Sequence, residues 1–494
     1  MRDWDAGVAR MASRITNAET LTSHGNVVAR RAVAAILEAG LQAADPYEGT
    51  RRLVRIESGQ LVVGQPDLVN HGDPRAAQVE RFDLDRLGRI LVVGAGKGVQ
   101  RVARALEEVL GDRLDGGHVI AKHEDDALCQ RVGVTYGAHP VPDEGCVEGC
   151  RRILELAAGL SERDLVFTIG ASGISSLLTL PPDGITLDEV RQLTYLMQIE
   201  KGVPTGDLNK VRNHVDIVKG GRITRRLRPA KVVHLLAKEP APYSRVVGGK
   251  HFVHFYPDSS SFADARSVLR KWQAWDEVPA SIREYLTRAG PADETMKPDE
   301  FEATGARVFC LISQERGMLP TAEAKARELG YNPYRLATTM QAEASQAGLI
   351  TADIALSVAR DGIPFSAPCA LISGGELIVT VGKETGMGGR NQEFALAAAT
   401  RIAGNARIAI GAVDSDGTDG PGGQFHAGDE VIPCLGGGIV DGATMEEAKQ
   451  AGVDVDSALR RHDTSPVLWQ LKSGALVTHS ISLLDLRVAV VMAE

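Results

Sequence analysis

The feature that most constrains this 494-residue chain is a repeated grammar of short apolar run, glycine-rich break and helix-forming segment. It is clearest where residues 89–93 run into Gly94-Ala95-Gly96-Lys97-Gly98 and then into a helical stretch at 100–110. A short, continuously apolar strand is one buried on both faces, and strand, loop and helix in repetition build a parallel sheet covered by helices. Further strands are expected at 117–121 and 165–169, with helices at 27–43 and 147–159. The alternation resumes later, with helices at 321–329, 338–347 and 391–403 and strands at 370–373, 377–381 and 407–412. Between the two stretches, residues 279–304 carry three prolines among many charges, with a helical piece at 281–288. The reading is therefore two α/β domains, residues 1–290 and 291–494, the first a Rossmann-like doubly wound sheet.

Composition removes several classes of function. A formal charge of −9 offers no basic footprint for nucleic acid. No stretch approaches the ~20 consecutive apolar residues of a membrane span, and residues 1–25 lack the apolar segment of a secretory leader. The six cysteines, Cys129, Cys146, Cys150, Cys310, Cys369 and Cys434, are too few and too dispersed for a disulfide framework. They read as reduced thiols, and the lack of a span or leader makes the cytoplasm the expected location.

Three loops carry the chemistry. At Gly94–Gly98 a buried strand delivers a glycine turn and Lys97 to a helix start, where amides and the helix dipole suit an anion; simple close packing is the alternative. The spacing is not that of a Walker A loop, and Val99 stands where a dinucleotide fingerprint needs its third glycine. At Gly386-Met387-Gly388-Gly389-Arg390-Asn391-Gln392-Glu393 a second glycine loop opens a helix with an arginine at its mouth. That guanidinium suits phosphate or carboxylate, or else pairs with a local carboxylate such as Glu393. At Asp414-Ser415-Asp416-Gly417-Thr418-Asp419-Gly420-Pro421 carboxylates follow a strand, a setting for Mg²⁺ or, more plainly, for an acidic turn that caps a helix.

Weaker signals lie between these loops. Asn209–His214 and Lys219–Arg222 gather cationic and amide groups that suit an anionic substrate or a solvated helix face. His251 and His254 alternate with apolar residues, a strand pattern that points them apart and argues against a metal site. Ser172-Gly173-Ile174-Ser175-Ser176 lacks the pattern of a nucleophile elbow, and the sequence assigns it no histidine or aspartate partner.

In order along the chain, Gly94–Lys97, His139-Pro140-Val141-Pro142-Asp143-Glu144, Asn209–Arg222, Ser373-Gly374-Gly375-Glu376, Gly388–Phe394 and Asp416–Pro421 resemble the glycerate 2-kinase family, whose second domain is called MOFRL. The resemblance implies a MOFRL-type second domain and an interdomain cleft. It also implies ATP-dependent phosphorylation of the C2 hydroxyl of D-glycerate or a related small hydroxy acid, with Mg²⁺. Lys97 and Arg390 take the catalytic positions. Binding falls on Gly94, Gly96, His139, Ser172, Arg212, His214, Lys219, Ser373, Gly374, Gly375, Glu376, Gly388, Gly389, Asn391 and Glu393, and metal on Asp416 and Asp419. Partners are then the hydroxy acid and ATP, with no nucleic acid or membrane, and a homo-oligomer is left open. Two segments depart from the family: Ile174 replaces a glycine, and Ser473–Ser480 is more apolar than the family loop. NAD(P)H-dependent reduction of hydroxypyruvate and a catalytically silent ligand-binding homologue are the alternatives.

Overall fold

The computed structural model describes residues 13–123, 125–250, 253–384, 386–420, 425–427, 430–478 and 484–494. The chain divides into two compact units: Asp45–Gln314, and the described residues up to Ala44 together with Glu315–Glu494. The division differs from the expected cut at 290/291, and burial explains why. The helix α1 (Val27–Ala43) buries Ala29, Val33, Ile36, Leu37 and Leu41 on one face. That face shares a core with Ile372, Val488 and Val490, which lie far on in the sequence.

The Asp45–Gln314 unit is built on β1 (Ile90–Ala95), β2 (Gly116–Lys122), β3 (Gly133–Gly137), β4 (Leu165–Gly170), β5 (Lys231–Leu236) and β6 (Arg307–Cys310). Every pairing is parallel and the order is β3-β2-β1-β4-β5-β6. All six residues of β1 and of β4 are buried, as a doubly covered parallel sheet requires. The helices α2 (Val99–Leu110), α3 (Glu144–Ala157) and α4 (Ile174–Leu177) follow β1, β3 and β4. The strand order reverses direction between β1 and β4, so the loops leaving their carboxyl ends flank the crevice where such sheets take ligands. Further along, the same unit contributes α5 (Thr205–His214).

The second unit adds α6 (Met318–Glu328), β7 (Asn332–Met340), α7 (Ala344–Asp361), β8 (Cys369–Gly375), α8 (Arg390–Ile402), β9 (Ile408–Asp414), β10 (Gly437–Asp441), β11 (Gly474–Ala475) and β12 (Asp485–Val491). Its mixed sheet runs β7-β8-β12-β9-β10-β11, with only the β7–β8 pair parallel. Alternation along the strands splits the core in two. Ala370, Ile372, Val488 and Val490 join α1, while Leu371, Ile410 and Ala489 join α7 and α8. Two expectations fail here. Residues 338–340 end a strand instead of starting a helix, because β7 pairs with β8 from Asn332↔Cys369 onward and the helix begins only at Ala344. Residues 377–381 form no strand: the chain leaves the sheet at Gly375, and Ile378 keeps a single bridge to Glu343.

Candidate active site

At the carboxyl end of β1 the glycines serve packing first. A Cβ on Gly96, whose φ is +133°, would lie 2.6 Å from the Cβ of Ala171 in the loop after β4. The amides of the turn are already committed: Gly96 donates to the Ile120 carbonyl, Lys97 to the Ser172 carbonyl at 2.8 Å, Gly98 to Asp125 and Val99 to the Gly96 carbonyl. Gly94 likewise admits Ile169 of β4. The expected backbone cradle for an anion is therefore spent internally, and the cation at this mouth is the Lys97 side chain. Lys97 and His139 meet over Gly173: a Cβ there would stand 3.3 Å from Lys97 Cγ and 3.1 Å from His139 Cδ2. Ser172, exposed beside them, completes the group that the sequence singled out. Ile174 does not crowd it, since the isoleucine is 4% exposed and turned into the core.

Beyond Gly173 the structure supplies partners that the sequence did not reveal. Ser175 Oγ lies 2.7 Å from His254 Nε2, His254 Nδ1 lies 2.9 Å from Asn213 Oδ1, and Asn213 donates to Asp258 at 3.0 Å. Ser175 also lines a narrow recess with Thr179, Arg212, Asp216 and Lys219. Lys219 Nζ is bonded to Asp216 at 2.6 Å and to Thr179 at 2.7 Å. Arg212 is buried, donating to the Gln198 side chain at 2.7 Å, and burial alone pulls its pKa down to about 10. The charges of α5 are thus not a solvated face. His214 separates from this group: it is edge-on to Phe262, with Nδ1 on the Lys210 carbonyl and Nε2 3.4 Å from Glu294. His251 lies outside the described residues, while His254 sits in a turn and is fully buried.

In the other unit Arg390 opens α8 and is gripped from two strands. Its Nε donates to both oxygens of Asp485, at 2.9 and 3.0 Å, and its Nη2 to Asp414 at 2.6 Å. The more exposed Glu376 stands 3.6 Å from Nη1. Sheet register makes this possible, since Gly375, Asp485 and Asp414 are adjacent across β8, β12 and β9. Burial acts to lower the pKa of Arg390, and the carboxylates of Asp485 and Asp414 outweigh it and raise it well above the usual value. The local partner expected for Arg390, Glu393, instead meets His462 Nδ1 at 2.9 Å, and burial raises its pKa. Gly374 and Gly375 end β8, and the Ser373 hydroxyl receives the Arg487 Nε at 3.5 Å.

The acidic loop behaves as the plainer reading anticipated. Asp419 accepts from the Asn391 and Gln392 amides and from Asn391 Nδ2, capping α8 with both oxygens. Gly389 is needed for that approach, because a Cβ there would fall 2.4 Å from the Asp419 carbonyl carbon; Gly388 is similarly tight against Thr464. Asp416 turns back to accept from the Thr418 amide. Among the described residues no three His, Cys, Asp or Glu gather as metal ligands. Asp419 thus caps α8 and Asp416 closes its own turn, and Pro421 lies outside the described residues. In the other divergent segment, Ser473 is buried against Arg30 while His479 and Ser480 lie outside the described residues.

A doubly wound sheet with a lysine at its switch point, joined in sequence to a unit that fixes an arginine among carboxylates, defines a two-unit α/β protein with cations at its strand ends and helix mouths. Residues 32–287 match the family model described as a domain of unknown function, DUF4147, and residues 369–482 match the MOFRL family. The chain is 34% identical over 409 residues to the D-glycerate 2-kinase of Thermotoga maritima, covering 82% of this chain and 90% of that protein. It is 30% identical over 443 residues to the glycerate 2-kinase of Pyrococcus horikoshii, covering 89% and 91%. The crystal structure of glycerate kinase from Thermotoga maritima superposes with a TM-score of 0.69 at 30% identity, over 92% of this chain and 98% of that one. The chain belongs to the glycerate 2-kinase family and is a phosphotransferase with an alcohol group as acceptor.

Proposed function

We propose that the protein transfers the γ-phosphoryl group of ATP to the C2 hydroxyl of D-glycerate or a related small hydroxy acid, giving 2-phosphoglycerate and ADP. The observation that carries the reading is the Lys97, His139 and Gly173 mouth at the switch point of the parallel sheet, in a chain whose relatives are glycerate kinases. In the reaction the C2 hydroxyl releases its proton to solvent, its oxygen bonds to the γ-phosphorus, and the bond from that phosphorus to the β–γ bridging oxygen breaks, leaving ADP. Positioning and charge account for most of the catalysis in such a transfer. Lys97 supplies a point charge to the transferring oxygens. Arg390 has a fixed orientation and keeps Nη1 as its least tightly bound donor, 3.6 Å from the exposed Glu376. Among the described residues no three His, Cys, Asp or Glu gather, so Mg²⁺ would be held by one or two carboxylates together with the phosphates of the nucleotide.

The reading has the enzyme act in the cytoplasm on small molecules only, in keeping with six cysteines that remain free thiols. Among the described residues no helix is long and apolar enough to cross a membrane. Coupled ADP release across a panel of three- to six-carbon hydroxy acids tests the proposal. D-glycerate or a close relative should turn over, and Lys97→Ala should lower the rate by about two orders of magnitude with an unchanged circular dichroism spectrum. Absence of ADP release with every acid in the panel would overturn it.

A further inference from the structure

His254 is enclosed, and the state of its ring can be read from the far end of its hydrogen-bond chain. Asp258 accepts from the Ser260 amide and hydroxyl on Oδ1 and from Asn213 Nδ2 on Oδ2. With its NH₂ turned to that carboxylate, Asn213 presents its carbonyl oxygen to His254, so Nδ1 carries the ring proton and Nε2 accepts. Ser175 is then the donor to Nε2, and its one proton is spent. Only lone pairs of Ser175 remain for anything else. Burial, then Lys219 and Arg212, hold the His254 pKa well below 6.5, so the ring stays neutral and the tautomer persists at neutral pH.

Ser175 lines the same recess as Arg212. Arg212 is 9% exposed and pairs with no carboxylate among the described residues; its bond goes to a neutral amide on the π-helical turn Tyr195–Glu200. A guanidinium withdrawn from water without a counter-charge is costly, and an entering anion relieves that cost. Lys219, committed to Asp216 and Thr179, is already compensated.

We propose that the mouth of this recess, whose interior of about 10 Å³ has room for one water, receives the acid end of the substrate, that Arg212 takes its carboxylate there, and that the Ser175–His254–Asn213–Asp258 chain selects a hydroxyl over a keto group at the adjacent carbon. A hydroxyl can donate to Ser175. A keto oxygen would face another acceptor and leave both unsatisfied, which is the situation in which sites discriminate strongly. The proposal deepens the kinase reading and rests on it for the identity of the acid. His254, Asn213 and Asp258 are positioning residues.

Calorimetric titration without nucleotide separates the parts, using D-glycerate and hydroxypyruvate as probes. The wild type should bind D-glycerate at least tenfold tighter, the equivalent of about 1.4 kcal/mol. Ser175→Ala should bring the two affinities within about threefold, whereas Ser175→Thr, which keeps the hydroxyl, should preserve the preference. Arg212→Gln should weaken both acids by a similar factor, on the order of 30-fold, and leave their ratio alone. A wild-type ratio near one, a ratio unmoved by Ser175→Ala in a folded protein, binding of neither acid at millimolar concentration, or unchanged affinities in Arg212→Gln would overturn the proposal. Discrimination without ADP release overturns the kinase reading alone, and turnover without discrimination overturns this one alone.

Discussion

Arg390 is bound by more carboxylate than one guanidinium neutralises, and that fact decides how it should be tested. Removing it leaves Asp414 and Asp485 buried beside each other, with Arg487 alone near the second. Breaking a buried pair in this way costs about 3–5 kcal/mol. Arg390→Ala should therefore lower the melting temperature of its unit as well as the activity. Arg390→Lys keeps the charge and loses the fork, so it should cut turnover by roughly 100-fold with a smaller thermal shift, read from rates and unfolding curves on the same preparation. At the same scale Asp419 gives a pH signature. Burial, against the pull of Arg390 and the amides it caps, raises its pKa from the ordinary 3.8 to about 6 in the folded protein. An acid whose pKa rises on folding contributes stability that is present at low pH and lost as pH climbs through that window. The stability of wild type relative to Asp419→Asn should fall by about 3 kcal/mol between about pH 3 and pH 7, measured as the difference between two chemical denaturation curves. A flat difference would show that the carboxylate ionises at its ordinary value.

At the scale of elements, the legible parts are those where a local pattern and its tertiary setting agree. The glycine turn with Lys97 and the glycine loop with Arg390 lie at strand ends and helix mouths, as their sequences indicate. α1 was legible because its apolar stripe is buried along its whole length. β7 was not, because Thr338, Thr339 and Met340 precede a helix-forming run and only pairing with β8 holds them extended. The Ser175 chain was hidden for another reason: its serine and histidine are 79 residues apart, and no local pattern announces such a pair. Asp485 is 95 residues from Arg390, and register across three strands brings it there. The amides after β1 were read as an anion cradle because their acceptors, Ile120 and Ser172, belong to other strands and loops.

At the scale of the molecule, the return of α1 to the second unit makes the chain's connectivity a matter of stability. Residues 45–314 hold a complete parallel sheet and should fold when expressed alone, giving a cooperative melt. Residues 315–494 alone leave Ile372, Val488 and Val490 without the helix that covers them, and should aggregate unless residues 13–44 are supplied. Size-exclusion chromatography and calorimetry of the two fragments check both outcomes. Incubation with ATP and D-glycerate, followed by ³¹P NMR of the product, should show 2-phosphoglycerate appearing in step with ADP; 3-phosphoglycerate, or no phosphorylated acid, would contradict it.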